Sequence, residues 1–282
     1  MSRTRIILTG ILLFSLVTSY SVADEPLFPD KNLEAVVRKN VFEKRDNEEP
    51  LTEKDVENIS TIEGKSRGIR DLRGLEKCLS LALIDLEDND IADIDPIMDL
   101  KNLQSVNLAK NRIGDLTALA ELERLQYLHL ANNRVSDLEP IGGLKNMRSL
   151  YLSNNRIKDL SPLEGLEKIW SLYVDGNRIA ALRPLAKLKW LSSLDLRKNQ
   201  IKDLSPLAKL SELKYLAIEK NEITDLTVLV QMAEKDAEGD QRFAPFWRIY
   251  VAGNPLSDQA KSEQLERLKE LGGRVSEEPI AE

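Results

Sequence analysis

Residues 150–163 read LYLSNNRIKDLSPL. Twenty-two residues upstream, 128–141 read LHLANNRVSDLEPI, and 22 downstream, 172–185 read LYVDGNRIAALRPL. A phrase that returns at a fixed period of this length marks an architecture of stacked repeats. Outward from it, asparagines recur at Asn89, Asn111, Asn133, Asn155, Asn177, Asn199 and Asn221. With each asparagine set to zero, apolar residues recur at −11, −8, −5, −3, +2, +5 and +8. Around Asn133 these are Leu122, Leu125, Leu128, Leu130, Val135, Leu138 and Ile141. An earlier turn fits with Arg67 in the asparagine slot and Gly64 at −3. A last turn, displaced by eleven residues, ends at Asn254, with Phe243, Phe246, Ile249, Val251 and Leu256 in its apolar slots.

The leucines at −5 and −3 predict a short strand with one face buried, because alternate side chains of a strand face opposite ways. The rest of each turn must bring the chain back. Ser161 before Pro162 and Ser205 before Pro206 predict a cap followed by a first helical residue, hence one 3-10 or helical turn. No single repeat can bury its own apolar side chains, but stacked neighbours can. The asparagine column is expected to be structural, each buried amide bonding the backbone of adjacent turns. Aspartates recur at +4, from Asp71 and Asp93 to Asp203 and Asp225, and are expected to cap backbone amides in the bend.

The motif L-x-x-L-x-L-x-x-N-x-I-x-x-L, met in seven consecutive turns, resembles that of the leucine-rich repeat family in its 22-residue bacterial class. The segment before the repeats resembles the helical cap of the internalins. FPDKNLEAVVRKNVF reads as an amphipathic helix capped by Asp30, and LTEKDVENI as a second, with Thr52 and Asp55 at capping-box spacing. GNPLSDQAKSEQLERLKELGGRV resembles a closing helical cap. The resemblance implies an α/β fold: a right-handed leucine-rich repeat solenoid. Short parallel strands would line its concave face and 3-10 or short helical turns its convex face. Helical N- and C-terminal caps would close it. The expected organisation is a signal peptide over 1–23, an N-terminal helical cap over 24–55, about nine turns over 56–257 with an insertion near 231–241, and a C-terminal cap and tail over 258–282.

MSRTRIILTGILLFSLVTSYSVA has a basic start, an apolar run and small residues before Asp24, the layout of a secretory signal. The run is shorter than the roughly 20 residues a membrane span needs. An exported chain, not membrane-spanning after signal removal, is expected. The formal charge of −7 becomes −9 once Arg3 and Arg5 leave with the signal. So acidic a chain argues against a nucleic-acid partner. Cys78 is the only cysteine, so no disulfide can form within the chain. It falls in the −11 slot and reads as a small buried residue.

Function is sought where the repeat varies. The strand positions −6 and −4 face away from the core, onto what the resemblance makes the concave side. The −4 column reads Asp85, Asn107, His129, Tyr151, Tyr173, Asp195, Ala217 and Tyr250, and the −6 column adds Tyr127 and Tyr215. At the strand edge lie Trp170 and Trp247, with Trp190 just before its strand. Every tyrosine outside the signal, and the single histidine, thus falls in these columns. Aromatic residues with polar tips are the usual anchors of protein interfaces. The candidate partner-binding residues are Tyr127, His129, Tyr151, Trp170, Tyr173, Trp190, Asp195, Tyr215, Trp247 and Tyr250. Asp175, Asp195 and Glu219 are expected to form an acidic flank. The function predicted is non-catalytic recognition of a protein partner by a monomer, with carbohydrate or envelope-polymer binding by the same face as the alternative. One histidine, one cysteine and no ligand-spaced cluster leave no machinery for nucleophile or metal chemistry. Neither cofactor nor metal is expected, and Arg112, Arg134, Arg156 and Arg178 at +1 are expected to pair with nearby acids.

Overall fold

The computed structural model describes residues 26–243 and 246–280. The signal segment expected over 1–23 lies outside them. Ten three-residue strands form one parallel sheet in strict sequence order: β1 Thr61–Glu63, β2 Leu83–Asp85, β3 Ser105–Asn107, β4 Tyr127–His129, β5 Ser149–Tyr151, β6 Ser171–Tyr173, β7 Ser193–Asp195, β8 Tyr215–Ala217, β9 Arg248–Tyr250 and β10 Arg274–Ser276. From β1 to β8 the register is one repeat, as in Leu128↔Leu150 and Leu150↔Leu172. The leucines and isoleucines of the repeat fill one continuous core along the stack, and Leu128, Leu150, Leu172 and Leu194 are fully buried.

The asparagine column does what its burial requires. Asn155 Nδ2 donates to the carbonyls of Leu130, Leu152 and Ser153 at 2.8, 3.0 and 3.3 Å. Its Oδ1 accepts from the Val135 amide at 2.9 Å. One side chain therefore satisfies backbone groups in its own turn and in the one before, at a depth water cannot serve. The residue ahead of each asparagine is left-handed: Asp88, Lys110, Asn132, Asn154, Lys198 and Lys220 have φ between 54° and 61°. That bend aims the amide inward.

The +4 aspartates cap the following bend. Asp115, Asp159 and Asp203 each accept the amide two residues on at 2.8 Å. Short 3-10 helices follow, including Ser161–Gly165 and Ser205–Lys209. The cap is thus the aspartate and not the serine. Ser161 and Ser205 are the first helical residues, and their hydroxyls donate back to Asp159 and Asp203.

At the N-terminal end, helix α1 (Lys31–Arg38) is capped by the Asp30 carboxylate, which accepts from Asn32 and Leu33. It buries Leu33, Val36 and Val37 against the first turns. Val36 explains Gly64 in the −3 slot: a Cβ there would meet the Val36 Cγ2 and Leu86 Cδ2 atoms at 3.0 Å. Helix α2 (Glu53–Val56) follows, with the Asp55 carboxylate accepting the Thr52 amide at 2.7 Å. At the other end the expected insertion is a helix, α3 (Thr227–Glu238), packed on the 3-10 helix of the preceding turn and on helix α4 (Leu265–Glu270). It sits on the convex side, away from the strands. The closing segment then adds β10 beside β9.

The last turn departs from the expected phase. Phe246 is 63% exposed and Trp247 is 1% exposed. The Trp247 and Phe246 amides both donate to the Phe243 carbonyl, a tight turn that rotates the chain by one position. Trp247 takes the core slot, its ring 4.3 Å from that of Phe243.

Candidate functional site

The aromatic residues of β4–β9 form an unbroken ladder. Tyr151 and Tyr173 stack at 5.0 Å between centroids with an interplanar angle of 30°. Tyr127 and His129 lie 5.4 and 5.1 Å from Tyr151. Tyr173 reaches Tyr215 at 6.3 Å, and Tyr215 reaches Tyr250 at 5.4 Å. In-register strands place successive side chains about 4.8 Å apart, which is why the rings meet. Ser149, Ser171 and Ser193 lie beside them in the −6 column. The step from Tyr173 to Tyr215 passes over β7, whose outward residues are Ser193 and Asp195.

All six rings are partly buried. Burial raises the Tyr127 and Tyr173 hydroxyls above the usual range, and burial together with the nearby Asp195 pushes Tyr215 up to about 12. Burial lowers His129. At neutral pH Tyr127, His129, Tyr173 and Tyr215 therefore present uncharged polar tips.

Two of the predicted residues are not offered to a partner. Trp247 is in the core, as described above. Asp195 is fully buried, and Arg197 Nε donates to both its carboxylate oxygens at 2.9 Å. Burial raises the Asp195 carboxyl against the pull of that arginine. Nor does the acidic flank form as expected. Glu219 is 2% exposed, and its Oε1 accepts the Ile280 amide at 2.8 Å, so the C-terminal tail crosses over it. Of the three acids only Asp175 keeps partial access, and it accepts the Ser153 hydroxyl. The signal for this burial was Arg197, two residues after Asp195, a cation in a column otherwise small or acidic over these turns.

Trp170 and Trp190 are exposed on the rim where the chain enters the strands. On the opposite rim, Arg112 pairs with Asp90 at 2.6 Å. Arg134, Arg156 and Arg178 have no acid partner among the described residues, because their +1 neighbours on adjacent turns are themselves arginines or Gln200. Cys78 is fully buried, and burial pushes its thiol up to about 12. The native protein is therefore expected to leave Ellman's reagent unreacted at pH 8, with one thiol titrating on unfolding. Prompt reaction of the native chain would contradict this placement. Among the described residues no group of three or more His, Cys, Asp or Glu could hold a metal, and no helix is long and apolar enough to cross a membrane.

The model of the family described as Leucine Rich repeats (2 copies) matches residues 80–121, 123–165, 171–209 and 189–231. No protein of curated function matches the chain in sequence. Among solved structures, an internalin of Listeria monocytogenes (InlF) is 29% identical over 91% of this chain and 74% of its own, with a TM-score of 0.76. Internalin C2 of the same organism is 32% identical over 73% of this chain and 91% of its own, with a TM-score of 0.70. A leucine-rich repeat protein of Leptospira interrogans, 23% identical over 73% of this chain and 57% of its own, shares the fold with a TM-score of 0.62. By its repeat, its caps and these likenesses, the chain belongs to the leucine-rich repeat family and is an internalin-like bacterial protein.

Proposed function

We propose that the protein is an exported, non-catalytic binding module that holds a protein partner against the aromatic ladder of its concave face. The observation that carries this is the ladder itself. Six rings run without a break from Tyr127 to Tyr250, all carried on strands of one continuous sheet. Such rings bury large area at small cost in side-chain freedom and keep a polar tip for a hydrogen bond. The proposed contact residues are Tyr127, His129, Tyr151, Tyr173, Tyr215 and Tyr250, with Trp170 and Trp190 on the rim.

Carbohydrate binding, the alternative reading of the sequence, is less well served. A sugar platform needs an open ring face, whereas the Tyr151 and Tyr173 faces are turned on each other. What the ladder presents is edges and hydroxyls, which suit the backbone and polar groups of a protein.

The test is capture. The mature protein is immobilised and exposed to envelope and secreted extracts of its source, beside a variant with Tyr151, Trp170 and Tyr173 all changed to alanine. A protein held by the first and lost by the second, with circular dichroism unchanged, is the expected result. With that partner in hand, Tyr151→Ala and Tyr173→Ala are each expected to weaken binding by about tenfold or more, the scale of a truncated interface anchor. Equal capture by both proteins would sink the reading.

A further inference from the structure

On the rim, Trp170 and Trp190 stand 53% and 66% exposed. Together with Arg148 and Lys168 they line an open cleft of about 260 Å³. Arg148 and Trp170 directly precede β5 and β6, while Lys168 and Trp190 lie just ahead of β6 and β7. Three successive turns thus build one site. The Trp170 indole N–H donates to Ser149 Oγ at 2.9 Å, which fixes the ring and leaves its faces, not its donor, for a ligand. Lys168 Nζ donates to the neutral Asn146 Oδ1 at 2.7 Å. Neither Arg148 nor Lys168 has an acid partner among the described residues. Some cations elsewhere are matched, as Lys187 is by Glu164 and Arg197 by Asp195, and others, such as Arg134 and Arg156, are not, but neither Arg134 nor Arg156 lines a cleft with exposed indoles. Two unmatched cations beside two exposed indoles, on a chain of net charge −7, are a local reversal of the molecule's own sign.

We propose that this cleft docks an acidic segment of the protein partner, with an apolar side chain against the indoles and a neighbouring carboxylate on Arg148 and Lys168. The proposal rests on the reading of the partner as a protein and names the chemistry of one of its contacts. The volume is below the roughly 300–1,000 Å³ that encloses a drug-sized ligand, and suits one side chain and its neighbour. Charge selects the occupant. An ionised carboxylate is acceptor-only and meets donors alone. A sugar ring brings several hydroxyl donors, and the four lining side chains hold no acceptor for them. The indole faces take the apolar body, and the rim position leaves the cations hydrated until the partner arrives. The docking is therefore expected to weaken as salt is raised.

The test uses the full mature chain and a fluorescein-labelled peptide, Glu-Asp-Phe-Glu-Asp with blocked ends, followed by fluorescence anisotropy. Saturable binding is expected, with none by the matching Lys-Lys-Phe-Lys-Lys peptide. The double variant R148Q/K168Q is expected to bind the acidic peptide about tenfold more weakly, the sum of two partly exposed charge contacts. W170A/W190A is expected to do the same. R134Q/R156Q, which removes two exposed cations from the opposite rim, is expected to bind it unchanged, because neither lines the cleft. A galacturonate oligomer provides the remaining arm. If the oligomer binds through Arg148 and Lys168 and the peptide does not, the occupant is an acidic glycan and the proposal falls. It also falls if the acidic peptide fails to bind, or binds both cleft variants as well as the native chain. Peptide binding with no tyrosine-dependent capture would overturn the ladder alone. Tyrosine-dependent capture with no peptide binding would overturn the cleft alone.

Discussion

Replacing Asn155 by alanine is expected to lower stability by about 3 kcal/mol, the cost of leaving several buried backbone groups without partners. The amide bonds the carbonyls of Leu130, Leu152 and Ser153 and the amide of Val135, and alanine replaces none of these. Backbone in two consecutive turns would be orphaned at 9% exposure, where water gives little relief. The adjacent Arg156 is exposed and without an acid partner among the described residues, so Arg156→Ala is expected to stay within about 0.5 kcal/mol of the native protein. In a stack, each turn is held only by its neighbours. A break at Asn155 should therefore also split the urea transition, with the turns on either side unfolding at separate midpoints. A loss for Asn155→Ala no larger than that for Arg156→Ala would mean that the column does not bind the turns together.

Gly74→Ala is expected to cost about 3 kcal/mol and to release the N-terminal cap. Gly74 has φ of +100°, a region that side chains rarely enter. A Cβ there would run into the Leu27 carbonyl oxygen and lie 2.6 Å from Phe28 Cδ1 and 2.8 Å from Phe28 Cε1. Phe28 is 1% exposed and belongs to the core under α1, so neither it nor the backbone beside it can yield cheaply. Hydrogen exchange should find the amides of α1 losing protection while those of β5 to β8 keep theirs. Uniform loss along the chain would show the solenoid to be a single cooperative unit, and unchanged protection would show that the cap adapts.

Most of the scaffold could be read from residue types at fixed spacing, because the repeat fixes each residue's surroundings by its column. Asn155 must be buried because its neighbours at −3 and +2 are Leu152 and Ile157, and Asp159 must cap because a bend follows it. Three features did not follow from columns. Trp247 and Phe246 exchange places because a tight turn after α3 shifts the phase by one residue, and column reasoning assumes a constant phase. Asp195 is buried because Arg197 folds over it, a contact between two outward positions. Glu219 is covered by a tail residue 61 positions away. Arg148 and Lys168 stand at variable positions that the repeat does not single out. Only their meeting with Trp170 and Trp190 across turns sets them apart.

Asn254 stands 33 residues after Asn221, yet it completes the ladder. Its Oδ1 accepts the Asn221 amide at 3.2 Å, and its Nδ2 donates to the Ile218 and Val251 carbonyls at 2.9 and 2.8 Å. The eleven additional residues are taken up through α3 on the convex side, and β9 still pairs with β8. The stack therefore counts strands and not residues. Whatever lengthens a convex connection leaves the pitch of the tyrosines alone, so that side can accept a grafted tag, a linker or a whole second domain without the tyrosine-bearing side registering the change.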